Sequence, residues 1–109
     1  MAKPLQHQVI LRALEIISDE SRWTVAALAR DQDGGPCQVT APEAVRFCAV
    51  GALERAAFEL LGYGVDPWLL TDIEKAVLGA DRARPSLAQI NDHLGREAVV
   101  ELFKEAIAA

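Results

Sequence analysis

The sequence predicts an all-α fold: a compact single-domain bundle of five to six helices around a buried central helix, with one irregular segment wrapped over its side. Three observations carry that prediction. The run Phe47-Cys48-Ala49-Val50-Gly51-Ala52-Leu53 holds no charged side chain, and a helix apolar all round must be covered by other elements on nearly every side. Several stretches repeat apolar residues at three- and four-residue spacing, which draws one stripe along a helix. Between them stand capping boxes, prolines and glycines at positions that start and stop helices.

The first helix is read from Leu5, Val9, Ile10, Ala13, Leu14 and Ile17, a single stripe about fifteen residues long. Pro4 is tolerated at its start, and Ser18-Asp19-Glu20-Ser21 ends it with side chains that prefer caps and turns. The segment Trp23 to Val39 has two readings. Thr24 caps a short helix through Val25, Ala26, Ala27, Leu28 and Ala29, or the same residues lie extended, because so short a helix is marginal. The adopted reading is the short helix followed by an ordered loop, with Asp31-Gln32-Asp33-Gly34-Gly35-Pro36 as its turn.

The central helix is expected to start at Thr40-Ala41-Pro42-Glu43, where Thr40 is the N-cap, Glu43 completes a capping box and Pro42 sits in the first turn. It runs to Leu61 and stops at Gly62. Glu54, Arg55 and Glu59 give its far end a wet face, with Arg55 and Glu59 one turn apart and able to pair. Gly51 weakens a helix interior by roughly 1 kcal/mol relative to alanine. The expected compensation is the close approach of another backbone, which a larger residue would push away.

Tyr63-Gly64-Val65 is a link, and Asp66-Pro67 can serve as N-cap and first residue of a helix through Trp68, Leu69, Ile73, Ala76 and Val77. Thr71-Asp72-Ile73-Glu74 is a second capping box in the same stretch, so the helix can begin at either place; both readings end at Gly79. Asp81 to Pro85 reads as a charged loop, and Ser86-Leu87-Ala88-Gln89 as a third capping box that opens a short helix ending at Gly95. A last amphipathic helix carries Val99, Leu102, Phe103, Ala106 and Ile107.

Composition narrows the function classes. The 109 residues fit one domain, residues 1–109, with no room for a second core. A hydrophobic content of 51% with 25% charged residues is ordinary globular usage. Sixteen acidic against eleven basic side chains leave a net charge of −5, which disfavours nucleic acid and anionic membranes, whose partners neutralise phosphate. The first residues lack the apolar core of a signal peptide, and no window is long enough to span a bilayer, so a cytoplasmic setting is expected. Cys37 and Cys48 lack ligand spacing and cannot form a disulfide framework, so reduced thiols are the default.

Candidate residues each have a chemical and a structural reading. Cys48 with His93 and Asp92 downstream suggests a nucleophile, a base and an orienting group. Placed two turns inside a helix that begins at Thr40, however, the thiol lies beyond reach of the helix dipole and reads as a small core residue. Cys37, beside a Gly-Gly-Pro turn, is the more accessible thiol. Asp31-Gln32-Asp33-Gly34 resembles the opening of a calcium loop but lacks a third ligand before its glycine and has Pro42 where the closing glutamate belongs. His7 and His93 have no ligand-spaced partner, and neither a metal nor a cofactor is expected. The helix pair across Gly95 could be a helix-turn-helix, but Glu97, Glu101 and Glu105 on the last helix oppose DNA. Asn91-Asp92 are poor helix formers inside a helix, which points to a hydrogen-bonding role or a ligand. Trp23 and Trp68 read as core anchors, or as interface residues if exposed.

Trp23, Ala29-Arg30-Asp31, Gly34, Arg46-Phe47-Cys48-Ala49-Val50-Gly51-Ala52-Leu53 and Asn91-Asp92 together resemble a family of small uncharacterised proteins from bacteria and their phages. Its pattern is a tryptophan, an Ala-Arg-Asp-like turn with glycine, a Trp-Cys-x-x-Gly-Ala-Leu block, and an Asn-Asp pair before a final amphipathic helix. The resemblance spans about Val9 to Ile107. Phe47 stands where the family more often has tryptophan, which keeps the aromatic bulk and loses an N–H donor. The family has no established activity, so the resemblance implies a compact helical fold and marks Trp23, Cys48, Asn91 and Asp92 as matched positions. His93 is outside the pattern.

The expected function is that of a non-enzymatic interaction or accessory protein, acting through a protein partner or by self-association as a homodimer. The alternative is a small-molecule-binding or cysteine-dependent enzyme with a pocket near Cys48, Asn91 and Asp92.

Overall fold

The computed structural model describes residues 5–62, 66–79 and 85–108. Five α-helices dominate them: α1 (Leu5–Ser18), α2 (Ala49–Leu61), α3 (Pro67–Leu78), α4 (Leu87–Leu94) and α5 (Arg96–Ala108). Two short strands, β1 (Ala29–Arg30) and β2 (Arg46–Phe47), lie between α1 and α2. The fold is a mainly α single domain. Residues 63–65 and 81–84 of the two expected links lie outside the described residues.

The stripe of α1 buries Val9, Ile10, Ala13, Ile16 and Ile17 against α2 and α5. The last carbonyls of α1 would otherwise lack partners; Arg96 at the start of α5 donates to those of Ile17 and Ser18 at 3.3 and 3.2 Å. Phe47, Leu53 and Phe103 are wholly buried at the centre, beside the small residues Ala49, Ala52, Ala56 and Ala57 of α2. Small side chains let neighbouring helices come close.

The central helix begins later than the sequence predicts. Thr40-Ala41-Pro42-Glu43 forms consecutive turns, with Ala41 N donating to Gln38 O and Ala44 N to Ala41 O, both at 3.1 Å. The N-cap is Cys48, whose sulfur accepts from Gly51 N at 3.3 Å. A capping box is a local preference, and here long-range pairing overrides it. Val45 N donates to Arg30 O at 2.9 Å, and Arg46–Phe47 pairs antiparallel with Ala29–Arg30, so residues 45–47 are drawn out of helical geometry. The buried block is therefore helical only from Ala49, and Phe47 belongs to the strand.

The short helix expected from Thr24 is also absent; the segment is extended or bent, and Ala26 takes a left-handed conformation at φ 62°. Trp23 lies parallel beside Phe47, Thr24 N donates to Phe47 O at 3.1 Å, and Cys37 N donates to Ala29 O at 3.0 Å. Four backbone segments thus lie side by side in the order 36–37, β1, β2, 23–24. Cys37 and Cys48 flank β1 on opposite sides, about two strand spacings or roughly 10 Å apart, beyond the Cα reach of a disulfide. Both cysteines are free.

Two arginines fasten this wrapped segment. Arg30 donates to Thr24 Oγ1, Gly34 O and Val25 O at 2.9, 2.9 and 3.1 Å. Arg55 of α2 donates to Val39 O and Ala41 O at 2.9 and 3.0 Å, and its guanidinium lies over the rings of Phe47 and Phe58. The expected pair with Glu59 is present at 3.5 Å, while Glu59 holds Arg12 of α1 more closely, at 2.7 Å. Asp31 Oδ1 accepts from Asp33 N and Gly35 N, both at 2.9 Å, which makes the turn after β1.

The remaining boundaries follow the sequence signals. Asp66 caps α3 by accepting from Trp68 N at 2.7 Å, with Pro67 as the first helical residue. This decides between the two starts, since the Thr71 hydroxyl instead donates back to Pro67 O at 2.9 Å. Ser86 and Gln89 form a complete capping box on α4, and Gly95 at φ 90° divides α4 from α5. Ile73 and Val77 dock α3.

Candidate functional site

The matched residues meet where the wrapped segment, α2 and α4 come together. Asn91 of α4 is 0% exposed. Its Oδ1 accepts from the indole Nε1 of Trp23 at 2.8 Å and from the backbone N of Ala49 at 2.9 Å. Its Nδ2 donates to Thr24 O at 3.1 Å and to Asp92 Oδ1 at 3.0 Å. Two donated and two accepted bonds fill the capacity of a primary amide and fix which end is oxygen. One side chain ties three elements together.

Asp92 is exposed at the edge of this cluster, and its Oδ1 also accepts from Ala26 N at 3.2 Å. The bonds from Asn91 and Ala26 hold its carboxyl below the usual carboxylate range. That contact pins the left-handed Ala26, a conformation that costs an L residue about 1 to 2 kcal/mol.

The first turn of α2 has backbone N–H groups without helical partners. Asn91 takes that of Ala49 and the sulfur of Cys48 takes that of Gly51. At this N-cap, rather than two turns inside, Cys48 sits where a helix dipole favours a thiolate. Burial nevertheless pushes its pKa up; the backbone N–H groups of Gly51 and Val50 pull it down by less, and the charges of Asp92 and Glu54 add to the rise. The net direction is upward, which favours the thiol over the thiolate. His93 is exposed on α4, and among the described residues no hydrogen bond joins it to Cys48.

Gly51 meets the backbone of the wrapped segment, as its sequence setting suggested. A Cβ at this position would lie 1.8 Å from the carbonyl oxygen of Leu28, and the same carbonyl accepts from Cys48 N at 3.2 Å. Every matched position in the block from Phe47 to Leu53 therefore has a packing or hydrogen-bonding use. Thr24, Ala26 and Leu28 complete the arrangement through their backbones, and nothing in their residue types marks them, because the partners of Thr24 and Ala26 lie far along the chain and Leu28 meets α2 through its carbonyl.

A family model described as DUF6197, a family of unknown function, matches residues 1–109. The chain belongs to the DUF6197 family. Comparison with curated proteins and with solved structures gives no match. In this DUF6197 member, Trp23, the turn from Cys48 to Gly51 and the buried Asn91 converge on one junction, with Asp92 at its exposed edge.

A second group of ionisable residues lies between α2 and α3. Glu54 Oε2 is shielded from water and has no hydrogen-bond partner among the described residues. Burial raises the Glu54 pKa and the charge of Glu74 adds to it; Glu74 is itself raised by burial. With the folded pKa above the unfolded one, the native state binds more protons in that window, so this pair's contribution to stability falls as pH rises through it. Glu54→Gln is expected to raise the melting temperature at neutral pH, and the gain should shrink as pH falls toward about 3, below the unfolded carboxyl's pKa of about 4.3, where the group is protonated in both states. Thermal unfolding of both proteins across that range checks this; an unchanged melting temperature at neutral pH would contradict it.

Two clefts lined by described residues border α4. One, of about 350 Å³, runs between α4 and α5 past Ile90, Leu94, Ala98 and Leu102. The other, of about 250 Å³, shares Ile90 and Leu94 and reaches Gln89 and His93.

Proposed function

We propose that this DUF6197 chain is a non-enzymatic interaction or accessory protein that works through its outer surface, with a protein as its partner. The observation that carries the reading is the complete hydrogen bonding of Asn91 inside the protein, which leaves the amide nothing with which to hold a ligand. Trp23 spends its indole N–H there, and Cys48 is 5% exposed. Apolar surface is available elsewhere: Trp68 is 80% exposed and Leu94 65%, and large apolar side chains of this kind anchor interfaces. The net charge of −5 supports a protein partner over nucleic acid or an anionic membrane. Among the described residues no helix is long and apolar enough to cross a membrane, and two unpaired thiols accord with a cytoplasmic setting.

The competing reading, a cysteine-dependent enzyme, draws on the position of Cys48 at a helix N-terminus. Alkylation with a small thiol reagent at neutral pH separates the two. Cys37 is expected to react in the folded protein, while Cys48 reacts only at the rate of unfolding and catches up in denaturant. Faster labelling of Cys48 than of Cys37 in the native protein would overturn the interaction reading.

A further inference from the structure

We infer that the cleft between α4 and α5 is the docking site for a basic amphipathic helix of a partner protein, an assignment that rests on the interaction reading above. The floor is apolar, with Ile90, Ala98 and Leu102 among its lining, and Glu101 and Glu105, one turn apart on α5, give the rim its charge. Leu94, the last residue of α4, stands 65% exposed at its edge. A volume of about 350 Å³ is enough for apolar side chains of a partner.

The walls select the occupant's backbone. Apart from Pro85, the lining residues stand on α4 and α5, and the N–H and C=O groups of a helix bond along its own axis and offer no free edge to a strand. An extended peptide laid here would bury its own backbone groups without partners, at a cost comparable to lost hydrogen bonds. A helix arrives with its backbone already satisfied and inserts only side chains.

The rim selects the charge. Glu101 is paired with Lys104 at 3.8 Å, a contact between two side chains that are each more than half exposed and so weakly held. Glu105 has no ion pair among the described residues. Lysines or arginines flanking the partner's apolar stripe would meet both carboxylates. A second copy fits poorly, because a two-fold dimer through this cleft would gather Glu101 and Glu105 of both subunits at one interface.

The test uses the full chain and two synthetic helical peptides that share one leucine stripe, one flanked by lysines and the other by glutamates. Titration followed by amide chemical shifts should place the lysine peptide on α4 and α5, at least tenfold tighter than the glutamate peptide. Leu94→Asp, at an exposed position, should weaken it tenfold or more with the circular dichroism spectrum unchanged. The double variant Glu101→Lys/Glu105→Lys should reverse the preference. Equal affinity for the two peptides, binding mapped to another face, binding indifferent to Leu94→Asp, or self-association abolished by Leu94→Asp would each overturn the assignment. If the peptides fail while Cys48 stays unreactive in the folded protein, the docking site falls and the interaction reading stands; rapid Cys48 labelling removes that reading whatever the peptides do.

Discussion

Asn91→Ala is expected to lower the unfolding free energy by about 3 to 5 kcal/mol, a large share of the 5 to 15 kcal/mol typical of a domain. The substitution strands the indole N–H of Trp23, the amide of Ala49 and the carbonyl of Thr24 at the junction of three elements. Each buried polar group left without a partner costs about 1 to 3 kcal/mol, with some relief if water enters. Two companion variants apportion the loss. Trp23→Phe removes one donor and keeps most of the ring, so it should lose less. Asn91→Asp still accepts from Trp23 and Ala49 but cannot donate to Thr24, and it sets a second carboxylate beside Asp92, so it should lose nearly as much as alanine. Urea titration of the set measures these differences, and an Asn91→Ala midpoint close to the parent's would contradict the argument.

Gly51→Ala is expected to destabilise by more than about 3 kcal/mol, the upper end for overpacking a core. Helix propensity alone points the other way, since alanine inside a helix is worth about 1 kcal/mol over glycine. Contact decides the sign. The new methyl would overlap the Leu28 carbonyl at 1.8 Å, and that backbone cannot rotate aside without breaking its bond from Cys48 N. The contrasting site is Gly62, where nothing lies within 4 Å of an added Cβ and only the φ of 80° opposes it. Gly62→Ala should cost about 1 to 2 kcal/mol. A Gly51→Ala protein as stable as the parent would mean that the wrapped segment does not press on α2 in solution.

The parts of this fold that were legible in the sequence are those whose signals act over one turn. Asp66-Pro67, the Ser86–Gln89 box, and the stops at Gly62 and Gly95 all lie where their residue types place them. The start of α2 was not legible, for two reasons. Thr40 to Glu43 has the residues of a sound capping box, and it is outweighed by the pairing of Arg46–Phe47 with Ala29–Arg30. Its actual cap is a cysteine, whose sulfur is a weak acceptor and absent from the usual N-cap residues. The short helix expected from Thr24 to Ala29 is missing for a related cause: Asn91 and Asp92 take the backbone of Thr24 and Ala26 from far along the chain. At the candidate site, the oddity of two short polar residues inside α4 was visible, and Gly51 was visible as a point of close approach. Their partners were not, because a hydrogen bond between residues 23 and 91 leaves no periodic trace.

The central claim is that Trp23, Cys48, Gly51 and Asn91 form a structural junction closed by its own hydrogen bonds, leaving function to the outer surface. Native-state hydrogen exchange at the Trp23 indole and the Ala49 amide tests it most directly. Both protons should exchange only through global unfolding, as slowly as the amides in the middle of α2. Fast exchange at both, with the α2 interior still protected, would show a junction that opens in the native state and would contradict the account.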